Sequence, residues 1–242
     1  GIDDVSLDEL VALAYDPQLP AFDTLVPRLY GAWAALAEDD AQRTALADPV
    51  ATLRAWDRRW RVDSAATSVA VFWGEALLER TRDAARAADL PVQEYMETRA
   101  PAALLLETLG DAVARLEADF GSWNTPWGTI NRFQRLTGEI DLPYDDDAPS
   151  TPVGFVSGRW GSLASFGARP RAGTKRWYGS SGNSFVAVVE FGDRVRARAV
   201  TAGGLSNDPD SPHFDDQTGR YATGDLREVY FYPEQLEGHT ER

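Results

Sequence analysis

The sequence predicts an α+β protein, helical in its first half and built from antiparallel strands in its second. Three observations predict it. Apolar residues recur at helical spacing from Leu10 to about Phe120. After Gly121 that spacing gives way to short apolar or alternating runs set between Gly, Pro, Asn and Asp. Apolar content of 43% over 242 residues is enough for a real hydrophobic core and excludes wholesale disorder. The division falls near residue 121, giving a helical region over 1–120 and a strand-rich region over 121–242.

The helices come first. Ser6-Leu7-Asp8-Glu9 is a capping box ahead of Leu10, Val11 and Leu13: hydroxyl and carboxylate each take an N–H that the helix end leaves over. A second helix is expected from Asp23 through Leu36, with Pro27 in its first turn, where a missing N–H is tolerated. Asp48-Pro49 predicts the cap and first residue of a helix carrying Leu53 and Trp56. A longer helix runs from Asp63 or Ser64 to about Ala88, with Val69, Phe72, Ala76 and Leu77 on one stripe, and Leu90-Pro91 ends it. Pro101 opens another, holding Leu104, Leu105, Leu109, Val113 and Leu116.

The second half is punctuated differently. Thr129 to Leu136 is short and mixed, and Tyr144 to Pro152 is a loop by composition. Ser162 to Gly167 predicts a short strand, and the Gly-rich segments predict turns. The clearest hairpin is Ser184 to Val200. Phe185 to Val189 is almost continuously apolar, as in a strand covered on both faces, and Gly192-Asp193 is read as a type II′ turn. On the return strand Arg194, Arg196 and Arg198 share one face, with Val195, Ala197 and Ala199 on the other. Such an arginine face is expected to be solvated or paired with the acidic remainder.

Lys and Arg number 24 against 38 Asp and Glu, a net charge of −14, so the basic footprint of a nucleic-acid or membrane-surface binder is missing. Without cysteine there is no disulfide, thiolate metal site or thiol nucleophile. Two histidines, His213 and His239, cannot build a multi-histidine metal centre. The apolar stretch from Val69 to Leu78 is interrupted by Gly74 and Glu75 and falls far short of the ~20 residues a membrane span needs. Gly1-Ile2-Asp3-Asp4 is acidic, unlike a signal peptide, and the absence of an initiator Met is expected of a processed or excised polypeptide. A single lysine, Lys175, among many arginines suggests a GC-rich bacterial source.

No nucleophile elbow, Walker loop, zincin motif or dinucleotide fingerprint is present; Gly179-Ser180-Ser181-Gly182-Asn183 fails the elbow pattern at its last position. The most unusual stretch is Gly203 to Gln217, which collects polar groups, two prolines and His213 in one loop. Three readings fit it. It is a loop whose Asn, Asp and Ser side chains cap its own backbone; or one wall of a substrate pocket in a larger assembly; or a calcium loop built from Asn207, Asp208 and Asp210, although EF-hand spacing is absent. A self-contained Ser211–His213–Asp216 triad is a poor candidate, because such groups normally come from distant segments. A hydrolase using His213 would instead need Ser157, Ser162 or Ser181 brought beside it. Trp123, Trp127 and Trp160 with Arg132, Arg135 and Arg159 suggest either carbohydrate stacking or core-edge packing with cation–π pairs.

The run Gly203-Gly204-Leu205-Ser206-Asn207-Asp208-Pro209-Asp210-Ser211-Pro212-His213-Phe214-Asp215-Asp216-Gln217 resembles the signature near the C-terminus of the penicillin acylase family of N-terminal-nucleophile (Ntn) hydrolases. Trp127-Gly128-Thr129-Ile130-Asn131-Arg132 is similar to the family's W-G-x-x-H-R element, with Asn131 where His is common. Gly182 to Phe191 resembles a strand of the acyl-homoserine-lactone and aculeacin acylase branch, and Ser6 to Leu29 the start of the helical region of the family's β chain. Asn207 stands where Gly is usual. The resemblance covers nearly the whole chain.

It implies the C-terminal portion of an α/β/β/α sandwich, with both regions belonging to one β-chain domain. It implies an amide hydrolase that matures by autoproteolysis, whose N-terminal serine acts as nucleophile with its own α-amine as base. Residue 1 here is Gly, and the oxyanion-stabilising asparagine lies upstream of the matched region, so no turnover is expected of this polypeptide alone. The expected partners are the remainder of the α and β chains and a small acyl-amide substrate; isolated, the chain is expected to dimerise through an uncovered sheet edge. No cofactor is expected; any family-type calcium would be held outside this segment. The location implied is periplasmic or secreted. Ser211, His213, Asp215, Asp216 and Asn207 are the expected pocket-wall or supporting residues, and His213 could equally be a satisfied histidine bonded to Asp215 or Asp216. A non-catalytic binding module on the same framework is the alternative.

Overall fold

A computed structural model describes residues 5–137 and 143–239. Gly1 to Asp4, on which the readings of the chain's start rest, lie outside the described residues.

Helix α1 (Leu7–Ala14) begins at the predicted capping box: Ser6 Oγ accepts the Glu9 N–H at 3.2 Å and the Glu9 carboxylate accepts the Ser6 N–H at 2.9 Å. Helix α2 (Ala21–Ala34) starts two residues earlier than expected, after Pro20, so Pro27 lies in its interior rather than its first turn. Pro27 is on the exposed side, where water can serve the Asp23 carbonyl that loses its donor. The Asp48-Pro49 cap is corrected too. Asp40 caps a short α3 (Ala41–Ala45), and α4 (Ala47–Ala55) follows directly through Leu46 with no side-chain cap. Helix α5 (Ala65–Ala87) is capped by Ser64 as expected and buries Val69, Phe72 and Leu77, while Ala76 is half-buried. Helix α6 (Val92–Thr98), without a counterpart in the sequence reading, fills the gap before α7 (Ala102–Phe120), which ends on the left-handed Gly121.

The mixed segment after Pro126 resolves into a single turn α8 (Trp127–Ile130) and strand β1 (Asn131–Phe133). Four strands form one sheet in the order β2 (Thr151–Pro152), β1, β4 (Trp177–Gly182), β3 (Phe166–Pro170). The strand expected at Ser162 to Gly167 therefore lies about four residues later, because Ser162 Oγ turns onto the Ala164 carbonyl first. Gly179 to Gly182 is strand rather than turn. A β-carbon on Gly179 would lie 2.0 Å from the Phe166 ring, so this glycine reflects packing across the sheet.

The hairpin forms a second sheet, β5 (Phe185–Glu190), β6 (Arg196–Thr201) and β7 (Arg227–Glu228). Glu190 pairs with Arg196, so the connection spans residues 191–195 and replaces the two-residue turn expected at Gly192-Asp193. The strand expected to be covered on both faces is covered on one. Val186 and Val188 stand opposite Val200 and Arg198 on the core side, whereas Phe185 (60% exposed), Ala187 and Val189 stand on an open face. The arginines pair as expected: Arg194 with Glu234, Arg196 with Glu190 and Arg198 with Asp8 of α1. Helix α9 (Thr218–Thr223) follows the polar loop.

Two hydrophobic clusters result. Helices α2, α4, α5, α6 and α7 bury the larger one, which also takes Trp127, Val156, Trp160 and Trp177 from beyond residue 121. The smaller one gathers Leu7, Val153, Phe155, Phe166, Val188, Val200 and Tyr221, joining α1 and α9 to both sheets. Among the described residues no helix is long and apolar enough to cross a membrane.

Candidate functional site

The loop from Gly203 to Gln217 leaves β6 and enters α9. Its shape follows from its own polar groups. Ser206 Oγ accepts the Asp208 N–H at 3.1 Å, Asp208 Oδ1 the Asp210 N–H at 3.0 Å, and Ser211 Oγ the His213 N–H at 3.2 Å. The base is closed by Ser206 N–H on the His213 carbonyl at 3.0 Å and Gln217 N–H on the Gly203 carbonyl at 2.9 Å. Buried Gln217 also accepts the Thr201 N–H at 3.2 Å.

The structure brings the predicted residues together on this loop. His213 Nδ1 lies 2.9 Å from Asp216 Oδ2, both side chains partly exposed. Ser211 is half-buried and its hydroxyl serves the His213 backbone. Asp215 is exposed, and its carbonyl accepts the Thr218 N–H at 3.0 Å. Asn207 is exposed at the tip. Among the described residues no three His, Cys, Asp or Glu side chains gather so as to hold a metal ion. Ser157 and Ser162 are engaged locally, on the Arg159 N–H and the Ala164 carbonyl.

Sequence reasoning misses the residue on which the loop rests. Composition groups Arg135 with the tryptophans, yet its guanidinium lies against the loop: Nη2 donates to the Ser206 carbonyl at 3.4 Å and the group sits 5.3 Å over the Phe214 ring. A β-carbon on Gly203 would be 2.9 Å from Arg135 Nη1, and one on Gly204 would be 2.0 Å from the His213 carbonyl oxygen. The paired glycines are thus explained by close approach. The one legible signal is Gly203-Gly204 itself. The carbohydrate-stacking reading of the tryptophans falls: Trp127 and Trp160 are buried and Trp123 is half-buried against the same core. Asn131, in the family's usual His position, is fully buried and ties β1 to the next segment, donating to the Val153 and Phe155 carbonyls at 2.7 and 3.0 Å.

Beside Arg135 a cavity of about 360 Å³ opens against β1, β3 and β4, bounded by Tyr221 of α9 and by Ser184 and Ala202 just outside β5 and β6. Phe133, Phe166, Tyr144 and Tyr221 give it aromatic walls, and Ser180, Ser181 and Ser184 a polar rim. Burial pushes the Tyr221 phenol far above its ordinary value, so the hydroxyl stays protonated.

Fold and loop together define an α+β chain with a polar, self-capped loop carrying the Ser-Pro-His-Phe-Asp-Asp-Gln run. The penicillin amidase family model matches residues 2–238, and the chain belongs to that family. A solved structure, a thermostable penicillin G acylase from Alcaligenes faecalis, is similar in fold with a TM-score of 0.50 at 14% identity. That match covers 100% of this chain and 49% of the acylase chain, so this chain spans about half the length of that relative.

Proposed function

We propose that this chain is the C-terminal part of the β chain of an amide hydrolase that releases an acyl group from an amide-linked substrate. In this reading the nucleophile is an N-terminal serine outside residues 1–242, freed by autoproteolysis and using its own α-amine as base. Ser211, His213, Asp215, Asp216 and Asn207 hold the shape of a loop at the pocket wall and do not react. The nearest substrates by resemblance are acyl-homoserine lactones or acylated antibiotics, and the parent enzyme is exported. Any calcium belongs to the segments outside this chain.

The observation that carries this reading is the uncovered face of the β5–β6–β7 sheet. Apolar sheet faces are stable when another layer covers them. Here Phe185, Val189 and Val229 stand exposed on a sheet whose other side is packed. The remainder of the acylase, its α chain and the first part of its β chain, supplies the missing layer. The alternative reading is a non-catalytic module on the same framework, and the loop's self-capping by Ser206, Asp208 and Ser211 fits both readings.

Intact mass and N-terminal sequencing of the protein from its native host test the proposal. A longer β chain starting with Ser and including residues 1–242, active on acyl amides while this chain alone is inactive, is the expected result. Acyl-amide hydrolysis by this chain alone, lost on His213→Ala, overturns it. A native chain starting at or next to Gly1 with no partner chain favours the module.

A further inference from the structure

We infer that strand β5 is a self-complementary seam: two copies of this chain pair their β5 strands antiparallel about a two-fold axis at Ala187. Among the described residues β5 pairs with β6 alone, at one edge of its sheet. Its register is unbroken from Phe185 to Glu190, and no proline, bulge or charge interrupts Phe185 to Val189. Those are the devices that normally keep an edge from pairing. The ladder fixes where the backbone groups point. Phe185 stands opposite Thr201, and the Ala202 N–H bonds the Ser184 carbonyl at 2.9 Å. Bonded and non-bonded pairs alternate along an antiparallel ladder, so Ser184, Val186, Val188 and Glu190 direct their N–H and C=O groups at β6. Phe185, Ala187 and Val189 therefore direct theirs outward. Strand β6 obeys the same alternation, since the Ala197 carbonyl accepts the Val229 N–H at 2.9 Å on the side away from β5.

An axis at Ala187 sets that residue against its own copy and Phe185 against the partner's Val189, and each such pair exchanges both its hydrogen bonds. The side chains match as well. On the bare face Phe185 meets the partner's Val189, an aromatic and β-branched pair. On the core side Val186 meets the partner's Val188. Glu190, already paired with Arg196, meets the partner's Ser184 and no like charge. An axis one residue further, at Val188, would set Glu190 against the partner's Val186 and is disfavoured. A patch complementary to itself closes as a two-fold dimer. Edge pairing widens the bare face and does not cover it, so the inference stands apart from the acylase reading.

Cross-linking tests the register. The chain has no cysteine, so Ala187→Cys introduces a single thiol. Across the axis the two Cα atoms of a bonded pair lie about 5.5 Å apart, within disulfide range. Mild oxidation is expected to convert most of Ala187→Cys to a covalent dimer. Val189→Cys is the control: it lies on the same face, but in this register its two copies stand about 14 Å apart, and it is expected to cross-link at least tenfold more slowly. Charge swaps give a second reading by sedimentation. Phe185→Glu with Val189→Lys sets opposite charges across the seam and is expected to dimerise at least tenfold more tightly than Phe185→Lys with Val189→Lys, which sets like charges there. Should Ala187→Cys fail to fold, the charge swaps decide. Equal cross-linking at 187 and 189, no disulfide dimer of a folded Ala187→Cys, or equal dimerisation of the two charge variants overturns the inference. Self-association with any of these results leaves the acylase reading standing.

Discussion

A β-carbon on Gly204 would sit 2.0 Å from the His213 carbonyl oxygen and 2.7 Å from the Phe214 carbonyl carbon. Backbone cannot step aside as a flexible side chain can, so Gly204→Ala must open the base of the loop. We expect it to destabilise the fold by about 1–3 kcal/mol, measured as a lower urea midpoint at unchanged slope. Gly219→Ala is the control. Gly219 lies in α9, and no atom comes within 4 Å of the place an added methyl would take, so Ala there is expected to be neutral or stabilising by about 0.5–1 kcal/mol. The loop also marks how far the site can be read from sequence. The internal capping by Ser206, Asp208 and Ser211 is legible because each side chain serves a backbone group two residues on. Arg135 is not, because its partners lie about seventy residues away and no local spacing announces them.

At the scale of elements, local signals are legible in the sequence and tertiary ones are not. The Ser6 box and the Ser64 cap are short-range hydrogen bonds, and both helices start where those residues place them. Strand β4 is hidden because Gly179 answers to Phe166 on the neighbouring strand. Helix α5 shows the same dependence. Gly74 leaves room for the Trp160 ring, since a β-carbon there would lie 2.8 Å from it, and Glu75 accepts from Trp160 Nε1 at 3.2 Å and Arg159 Nη1 at 2.9 Å. This fastens the 3₁₀ turn Gly158–Trp160 onto the helix. Burial pushes the Glu75 carboxyl above its ordinary 4.5, only partly offset by Arg159 and the indole N–H. The folded state therefore holds this proton more tightly than the unfolded one. The resulting stabilisation is complete below about pH 4.5 and is lost as pH rises through the raised folded value. Other carboxyls shift oppositely: Asp57 is held low by its hydrogen bond to Arg61 and loses its contribution as pH falls. The useful quantity is therefore a difference. Melting temperature of wild type minus that of Glu75→Gln should fall as pH rises from 4 to 7; a difference that rises or stays flat would reject the account.

For the whole molecule, the decisive departure from the sequence reading is the half-covered hairpin. Continuous apolarity from Phe185 to Val189 predicts cover on two faces, yet one face is bare. The pattern reports what the strand needs, and this chain supplies only part of it. The register makes the bare face continuous: Val189 stands opposite Ala197, and the Val229 N–H bonds the Ala197 carbonyl on the far side, so a row of apolar residues crosses three strands. Phe191 and Phe231, 84% and 71% exposed, extend the apolar surface beyond the strands. Strand β5 pairs only with β6 among the described residues, so its outer edge also presents free backbone groups along six residues. An apolar face beside an open edge favours association, and the net charge of −14 opposes it only weakly, because salt screens it within about 8–10 Å. We expect the isolated chain to self-associate in physiological salt, with a weight-average mass that rises with concentration in sedimentation velocity. Phe185→Lys with Val189→Lys places two charges on the bare face and touches neither core cluster. The double variant should sediment as a monomer of 26.6 kDa and melt close to the wild type. A wild-type chain that stays monomeric at every concentration tested would show that the face needs no cover, and would remove the observation on which the parent-acylase reading rests.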